Sequence, residues 1–443
     1  MSVARSIVVL LVLAAVFGLV LSLVRESLTA PLRINPHVHI DPSETYHIDV
    51  WVSVPTIPRR ETYVQAVEKA VAVFTATWTS ITVVTNFVPQ PFLAAQLRAA
   101  KAEGKPPDVL VNSTRGGANY GALQVPLGLY LQGNEGEQWP QAIVAQLSVD
   151  GIIANLPIGY CFRVFAGNPN LFRAVGLDVE RYARAGWTWD EFLAVVDKLS
   201  DSTSRRLTLT NVDLPLLLGV AASSGEPTPF DEGGRLLWSM TELQAMGDIV
   251  NRLAATLGRE SLTAADEDAL ARFLSGQVGL IGPLSPELAR WVALTAQKRG
   301  LTPSILPMPF VGSTPVVDIA AVSVALFRQA AFRGNRHTRA AAELAIFLSG
   351  ALPPVLATHL ALLAPAPGQD GLLHLNNHSV HAAYADLTLA PAAPHATYWE
   401  TATGQPPWEE SLYPAWQSLV AGELTAHAFA VAAHAALSQL ARP

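Results

Sequence analysis

Four acidic residues, Glu135, Glu137, Asp231 and Glu232, have the side chains that glycosidic-bond hydrolysis requires, since that reaction takes two carboxyls facing each other across a cleft. They sit in polar stretches with no recognisable catalytic setting, and exposed carboxylates are ordinary surface residues. His37 and His39 flank Val38 and fall on one side of an extended segment, while His374, His378 and His381 share a face if their segment is helical. Neither set is completed by further metal ligands, and Asn376 with Asn377 works against the helix. Cys161 is the single cysteine, so the chain has no internal disulfide, and as a nucleophile it has no histidine beside it in sequence. Its place in an extended stretch favours packing. This inventory predicts a protein without catalytic residues, metal or cofactor.

Composition narrows the partners. The chain has 443 residues, too many for one ordinary core, and 50% are hydrophobic against 15% charged, which excludes extensive disorder. A net charge of -7 and the lack of a dense Lys/Arg stripe exclude nucleic acid as a partner.

The elements follow from periodicity. Ile48, Val50 and Val52 alternate with polar neighbours, the signature of a strand with one face in a core. From Glu61 to Thr79, Val64, Val67, Val71, Phe74 and Trp78 recur at spacings of three and four, which predicts a helix. A β-branched run from Ile81 to Phe87, a helical stretch from Pro91 to Glu103 and an apolar run from Val109 to Val111 continue the alternation. Strand-helix alternation implies an α/β fold built on mostly parallel sheets, with ligands beyond the strands' carboxyl ends. The loops 54–60 and 112–119 occupy those positions. Further helices are predicted at Asp190 to Leu199, with Thr188 and Glu191 at capping-box spacing, at Glu242 to Leu257, at His337 to Ser349 with Gly350 closing it, and at Thr425 to Leu440.

At the N-terminus, Arg5 precedes an uncharged apolar run from Ser6 to Val24 that ends at Arg25 and Glu26. At 1.5 Å per residue this run covers about 28 Å, close to a bilayer's hydrocarbon thickness and longer than the apolar part of most cleaved signals. Residues 1–30 therefore read as a signal anchor, or as a signal peptide cut near Ala30. Residues 31–45, with Pro31, Pro36 and Pro42, read as an extended linker.

Several segments occur in an order that resembles the extracellular solute-binding proteins of ABC importers, the family 1 sugar-binding group that includes maltose-binding protein. They are "AAKAEGKPPDVLV" (Ala99 to Val111), "VDGIIANLPIG" (Val149 to Gly159), "GNPNLFRAVGLD" (Gly167 to Asp178), "GWTWDEF" (Gly186 to Phe192), "FLSGQVGLIG" (Phe273 to Gly282), "ILPMPF" (Ile305 to Phe310) and "AAAELAIFLSG" (Ala340 to Gly350). The chain departs from that pattern at Leu284, where an aromatic residue is common, and around Val317-Asp318-Ile319, where a glycine-rich entry is usual.

The resemblance implies a two-lobed periplasmic-binding-protein-like fold of type II, with residues 46–157 and 310–362 in one lobe and 158–309 and 363–443 in the other. The crossings would lie near Pro157 to Arg163, Ser304 to Pro309 and Leu363 to Pro367. It implies a monomer that closes on a mono- or oligosaccharide and delivers it to permease subunits at the outer face of the membrane. Sugars need flat apolar faces and a ring of hydrogen-bonding groups. By matching position, the ligand-binding residues would be Asn112, Ser113, Thr114, Arg115, Tyr160, Arg163, Asp318 and Trp399. A helix cap by Asn112 to Arg115 is the competing reading of that segment. A tethered receptor or scaffold that serves no importer would share the architecture, and neighbouring permease genes would separate the two.

Overall fold

The computed structural model describes residues 34–55, 60–113, 119–132, 139, 141–149, 151–161, 163–201, 229–230, 234–262, 266–309, 320–360, 362 and 407–441. The alternation that begins at Tyr46 becomes strand β1 (Tyr46–Val54), with Tyr46, Ile48, Val50 and Val52 buried. Helix α1 (Arg60–Thr77) buries Tyr63, Val67, Ala70, Val71 and Phe74. Val67, Val71 and Phe74 lie inside as the spacing predicts, and only at the helix start does Tyr63 take the inner place expected of Val64. Trp78 falls just past the helix and stacks on Phe74 at 6.2 Å.

Strand β2 (Ile81–Pro89), helix α2 (Gln90–Ala102) and strand β3 (Val109–Asn112) complete two strand-helix-strand units, and β1 pairs in parallel with both β2 and β3. The turn after α2 needs its glycine. Gly104 has φ 71°, and a Cβ there would lie 2.6 Å from that of Ala330.

Strand β4 (Gln124–Val125), helix α3 (Gln141–Gln146) and a hairpin of β5 (Ser148–Val149) with β6 (Ile152–Ile153) lead to β7 (Leu156–Cys161). Strand β8 (Val164–Gly167) follows almost at once. After it comes helix α4 (Trp189–Asp201), whose predicted capping box is present in both directions: Glu191 N donates to Thr188 Oγ1 (3.2 Å) and Thr188 N to Glu191 Oε2 (3.0 Å). Helix α5 (Met240–Leu257) carries a second box, Ser239 with Glu242. Strand β9 (Leu280–Leu284), helix α6 (Pro286–Gln297), β10 (Ser304–Pro307) and β11 (Ala320–Phe327) precede α7 (Asn335–Ala351), α8 (Pro353–Leu360), α9 (Pro407–Ala421) and α10 (Ala426–Ser438). Gly350, expected to close α7, lies inside its last turn, and Leu352 is the cap.

These strands form two main sheets. The first has the order β2-β1-β3-β11-β4, with β7 also on β11; the second has the order β10-β8-β9. The expected parallel pairing holds for β2-β1-β3 alone. Strand β11 runs against β3, β4 and β7, and β8 runs against both β9 and β10. The reason is directional: β8 enters the second sheet at the edge toward which β9 and β10 run, and β11 enters the first sheet at the edge where β3 and β7 end.

The cores differ in character. Helices α1 and α7 pack Phe74 against Phe347 at 5.4 Å beside the first sheet. The second half is built on aromatics: Phe165, Tyr182, Trp187, Trp189, Phe192, Trp238, Trp408 and Trp416 are buried in one cluster, and Trp187 Nε1 donates to the Pro307 carbonyl at 2.8 Å. Among the described residues no single helix is long and apolar enough to cross a membrane. Helices α7 and α8 qualify only as a pair broken by a 50° bend, and α7 buries seven residues in the protein interior. The apolar run Ser6 to Val24 lies outside the described residues.

Candidate functional site

Six strand ends and two strand starts define the site. In the first sheet β1, β2, β3 and β7 end at the edge where β11 begins: Val54 pairs with Pro89, Asn112 with Ser323, and Cys161 with Ala320. In the second sheet Leu284 and Pro307, at the ends of β9 and β10, both pair with Val164 at the start of β8. The segment Cys161 to Val164 joins the two edges, so the carboxyl ends of both sheets meet at one crossing.

Hydroxyl groups line the first edge. Ser53 Oγ and Ser113 Oγ are 2.9 Å apart, and Ser113 Oγ also reaches the Ser53 carbonyl at 2.7 Å, with both residues buried. The buried Tyr63 hydroxyl lies beside Ser113, and burial raises its pKa. Asn112 Nδ2 donates to Tyr120 Oη at 3.2 Å, and burial pushes the Tyr120 phenol up to about 12 although the Asn112 bond opposes it. Both phenols are therefore neutral over the physiological range. Ser323, opposite Asn112, has a buried hydroxyl with no partner among the described residues.

The second edge is mostly apolar. Tyr160 is buried among Val164, Ile281, Leu284, Ile305 and Ala321, residues of both sheets, and burial raises its pKa. Leu284 is 1% exposed, so the position that departs from the resembled family is a packed core residue. Beyond β9 the first turn of α6 carries Glu287. Burial raises the Glu287 pKa, opposed by bonds from Ser285 and its own backbone and by the charge of Arg163. A carboxyl held up by desolvation beside a charge partner, where two sheets meet, is a recurrent mark of functional sites. Sequence reasoning missed it, because a glutamate after Ser-Pro at a helix start reads as a cap.

Of the residues expected to bind ligand, the structure brings Asn112 and Ser113 to the first edge, and Tyr160 and Arg163 to the crossing. The first two are buried with their polar atoms already bonded; Arg163 is half-buried. Thr114, Arg115, Asp318 and Trp399 lie outside the described residues, as do Glu135, Glu137, Asp231, Glu232, His374, His378, His381 and the crossing expected at Leu363 to Pro367. His37 and His39 are exposed, and among the described residues no three metal-ligating side chains come together.

Comparison with known proteins agrees with this geometry. No curated protein matches the chain by sequence. Among solved structures, the GacH receptor of Streptomyces glaucescens, studied with acarbose, superposes with a TM-score of 0.66 at 14% identity, covering 90% of this chain and 98% of that one. Maltose-bound MalE3 of T. maritima gives 0.66 at 16% identity, covering 88% and 99%. The substrate-binding protein Lmo0181 of Listeria monocytogenes, in complex with cycloalternan, gives 0.62 at 16%, covering 90% and 98%. At these identities the likeness establishes the two-lobed fold. The sequence profile described as "Bacterial extracellular solute-binding protein" matches residues 56–297, more than half of the chain. With the strand edges, their crossing and this match in agreement, the chain belongs to the bacterial extracellular solute-binding protein family.

Proposed function

We propose that this chain is the substrate-binding component of an ABC importer, acting outside the cytoplasm and binding a neutral mono- or oligosaccharide between its two lobes. The observation that carries this reading is the crossing at Cys161 to Val164, where two sheets present their carboxyl ends to each other. The sugar-bound state of structures sharing the fold supports the ligand class.

One lobe comprises residues 46–157 and 310–362, and the other 158–309 and 363–443, with β7 continuing the first sheet as far as Cys161. Asn112, Ser113 and Tyr160 act by positioning, since their polar or aromatic groups are committed to the protein; Thr114, Arg115, Arg163, Asp318 and Trp399 supply ligand contacts. Ligand that touches both lobes only when they close shifts the population toward the closed form, and permease subunits read that form. The protein works as a monomer, bound to the membrane through its N-terminal segment. It binds its ligand and leaves it chemically unchanged.

The test is titration calorimetry of the full chain against a panel of neutral sugars, with amino acids and peptides as comparison sets. The reading predicts saturable heat with at least one sugar and unchanged sugar on recovery. Binding confined to a non-sugar class would overturn the ligand assignment, and hydrolysis of a bound oligosaccharide would overturn the non-enzymatic one.

A further inference from the structure

The last turn of α8 is a meeting point for both halves of the molecule. A helix end leaves four carbonyls without partners inside the helix and carries partial negative charge, so a cation from elsewhere is a fitting cap. Here the cap comes from the opposite half: Arg290 of α6 donates through Nη1 to the carbonyls of Thr358 and Ala357, the latter at 3.5 Å. Helix α8 packs on β7 and α1 of the first sheet, while α6 packs on β8 of the second. Strands β7 and β8 are the two joined by the crossing, and α6 and α8, which pack on them, also touch each other.

The same turn is tied to the ligand side. His359 Nδ1 lies 3.4 Å from Thr62 Oγ1, in the first turn of α1, directly after the loop that follows β1. On the other side, Arg290 shares the first turns of α6 with Glu287, whose carboxyl feels the charge of Arg163 at the crossing. One helical turn thus touches the first turn of α1 on one side and α6 of the second half on the other.

We propose that Arg290 is a latch between the lobes: by capping α8 from α6 it stabilises the relative orientation of the two sheets seen here, and a hinge rotation that lifts α6 from α8 breaks it. The latch sets the balance between open and closed forms before any ligand arrives. Its effect on affinity rests on the solute-binding reading above, but its effect on the ligand-free orientation does not.

The test uses the full chain with Cys161→Ser and spin labels at two exposed positions, Val84→Cys on β2 and Val431→Cys on α10, read by pulsed electron resonance. Without ligand, Arg290→Met is expected to move the mean distance by more than about 3 Å or to add a second population, with Arg290→Lys falling between it and the parent. An unchanged distribution in Arg290→Met overturns the proposal. For any sugar found by calorimetry, Arg290→Met is expected to change Kd roughly tenfold, tighter if the shift is toward closure and weaker if toward opening. A Kd change of the opposite sign, or none, also overturns it. Should no sugar bind, the distance measurement still decides.

Discussion

Two carboxyls, one in each half, are held in opposite ways, Asp108 buried and Glu287 half-buried. Asp108, at the start of β3 and away from the crossing, is 1% exposed yet its pKa is lowered. Burial works against the charge, but Asp108 accepts from Asp49 N (2.9 Å) and Gln329 Nε2 (3.3 Å), lies 3.0 Å from His337 Nε2, and pairs with Arg333 at 3.6 Å. Glu287, at the crossing, has its pKa raised by burial that its bonds and Arg163 do not offset. The difference separates structure from function. A fully bonded carboxylate ties β1, β3 and the start of α7 together, whereas an under-compensated one is retained where the lobes meet, a cost that makes sense at a binding or moving surface.

Asp108→Asn should have the largest effect, lowering unfolding free energy by roughly 3 kcal/mol in urea titration, because it leaves partners of a buried charge unpaired. A loss below about 1 kcal/mol would remove Asp108 from its structural role. The pH dependence has a definite sign. Because folding lowers its pKa, the Asp108 contribution is fully present above the unfolded value near 3.8 and is lost as pH falls through the lower folded value. Stability of the parent should therefore fall more steeply than that of Asp108→Asn as the solution is acidified below pH 4.

Ser113→Ala should cost about 1 kcal/mol of stability by removing the bond to the Ser53 carbonyl. It should also weaken solute binding severalfold, because it loosens the segment that follows β3. Unaltered affinity would separate the hydroxyl pair from the site.

Glu287→Gln sharpens the comparison by reversing the sign. Folding raises the Glu287 pKa, so its ionised form opposes folding above that value, and the neutral amide should raise the melting temperature slightly at pH 7. The advantage should vanish in acid, where the parent carboxyl is protonated. A lower melting temperature at pH 7 would contradict the assignment.

The two halves also differed in how openly the sequence declared them. The first, from β1 to β3, was legible because each element repeats a local period and each connection is short; strand and helix ends fell within a few residues of expectation. In the second half Thr188 and Glu191 announced α4, since a capping box is local chemistry. The antiparallel β11 was not foreseen: its direction depends on where the chain re-enters a sheet, which no local pattern encodes. Trp187, Trp189, Trp238, Trp408 and Trp416 lie in the helical core of the second half, where large apolar faces bury well. At the site, the strand-end rule led to Asn112 and Ser113, while Glu287 depends on Arg163 from a distant stretch of chain and left no sequence signal.

The central claim is that two lobes close on a neutral sugar at the crossing. Small-angle scattering of the full chain, with and without a saturating sugar identified by calorimetry, tests it most directly. The account predicts a smaller radius of gyration on binding with no change in mass; saturable sugar binding with an unchanged radius would contradict it.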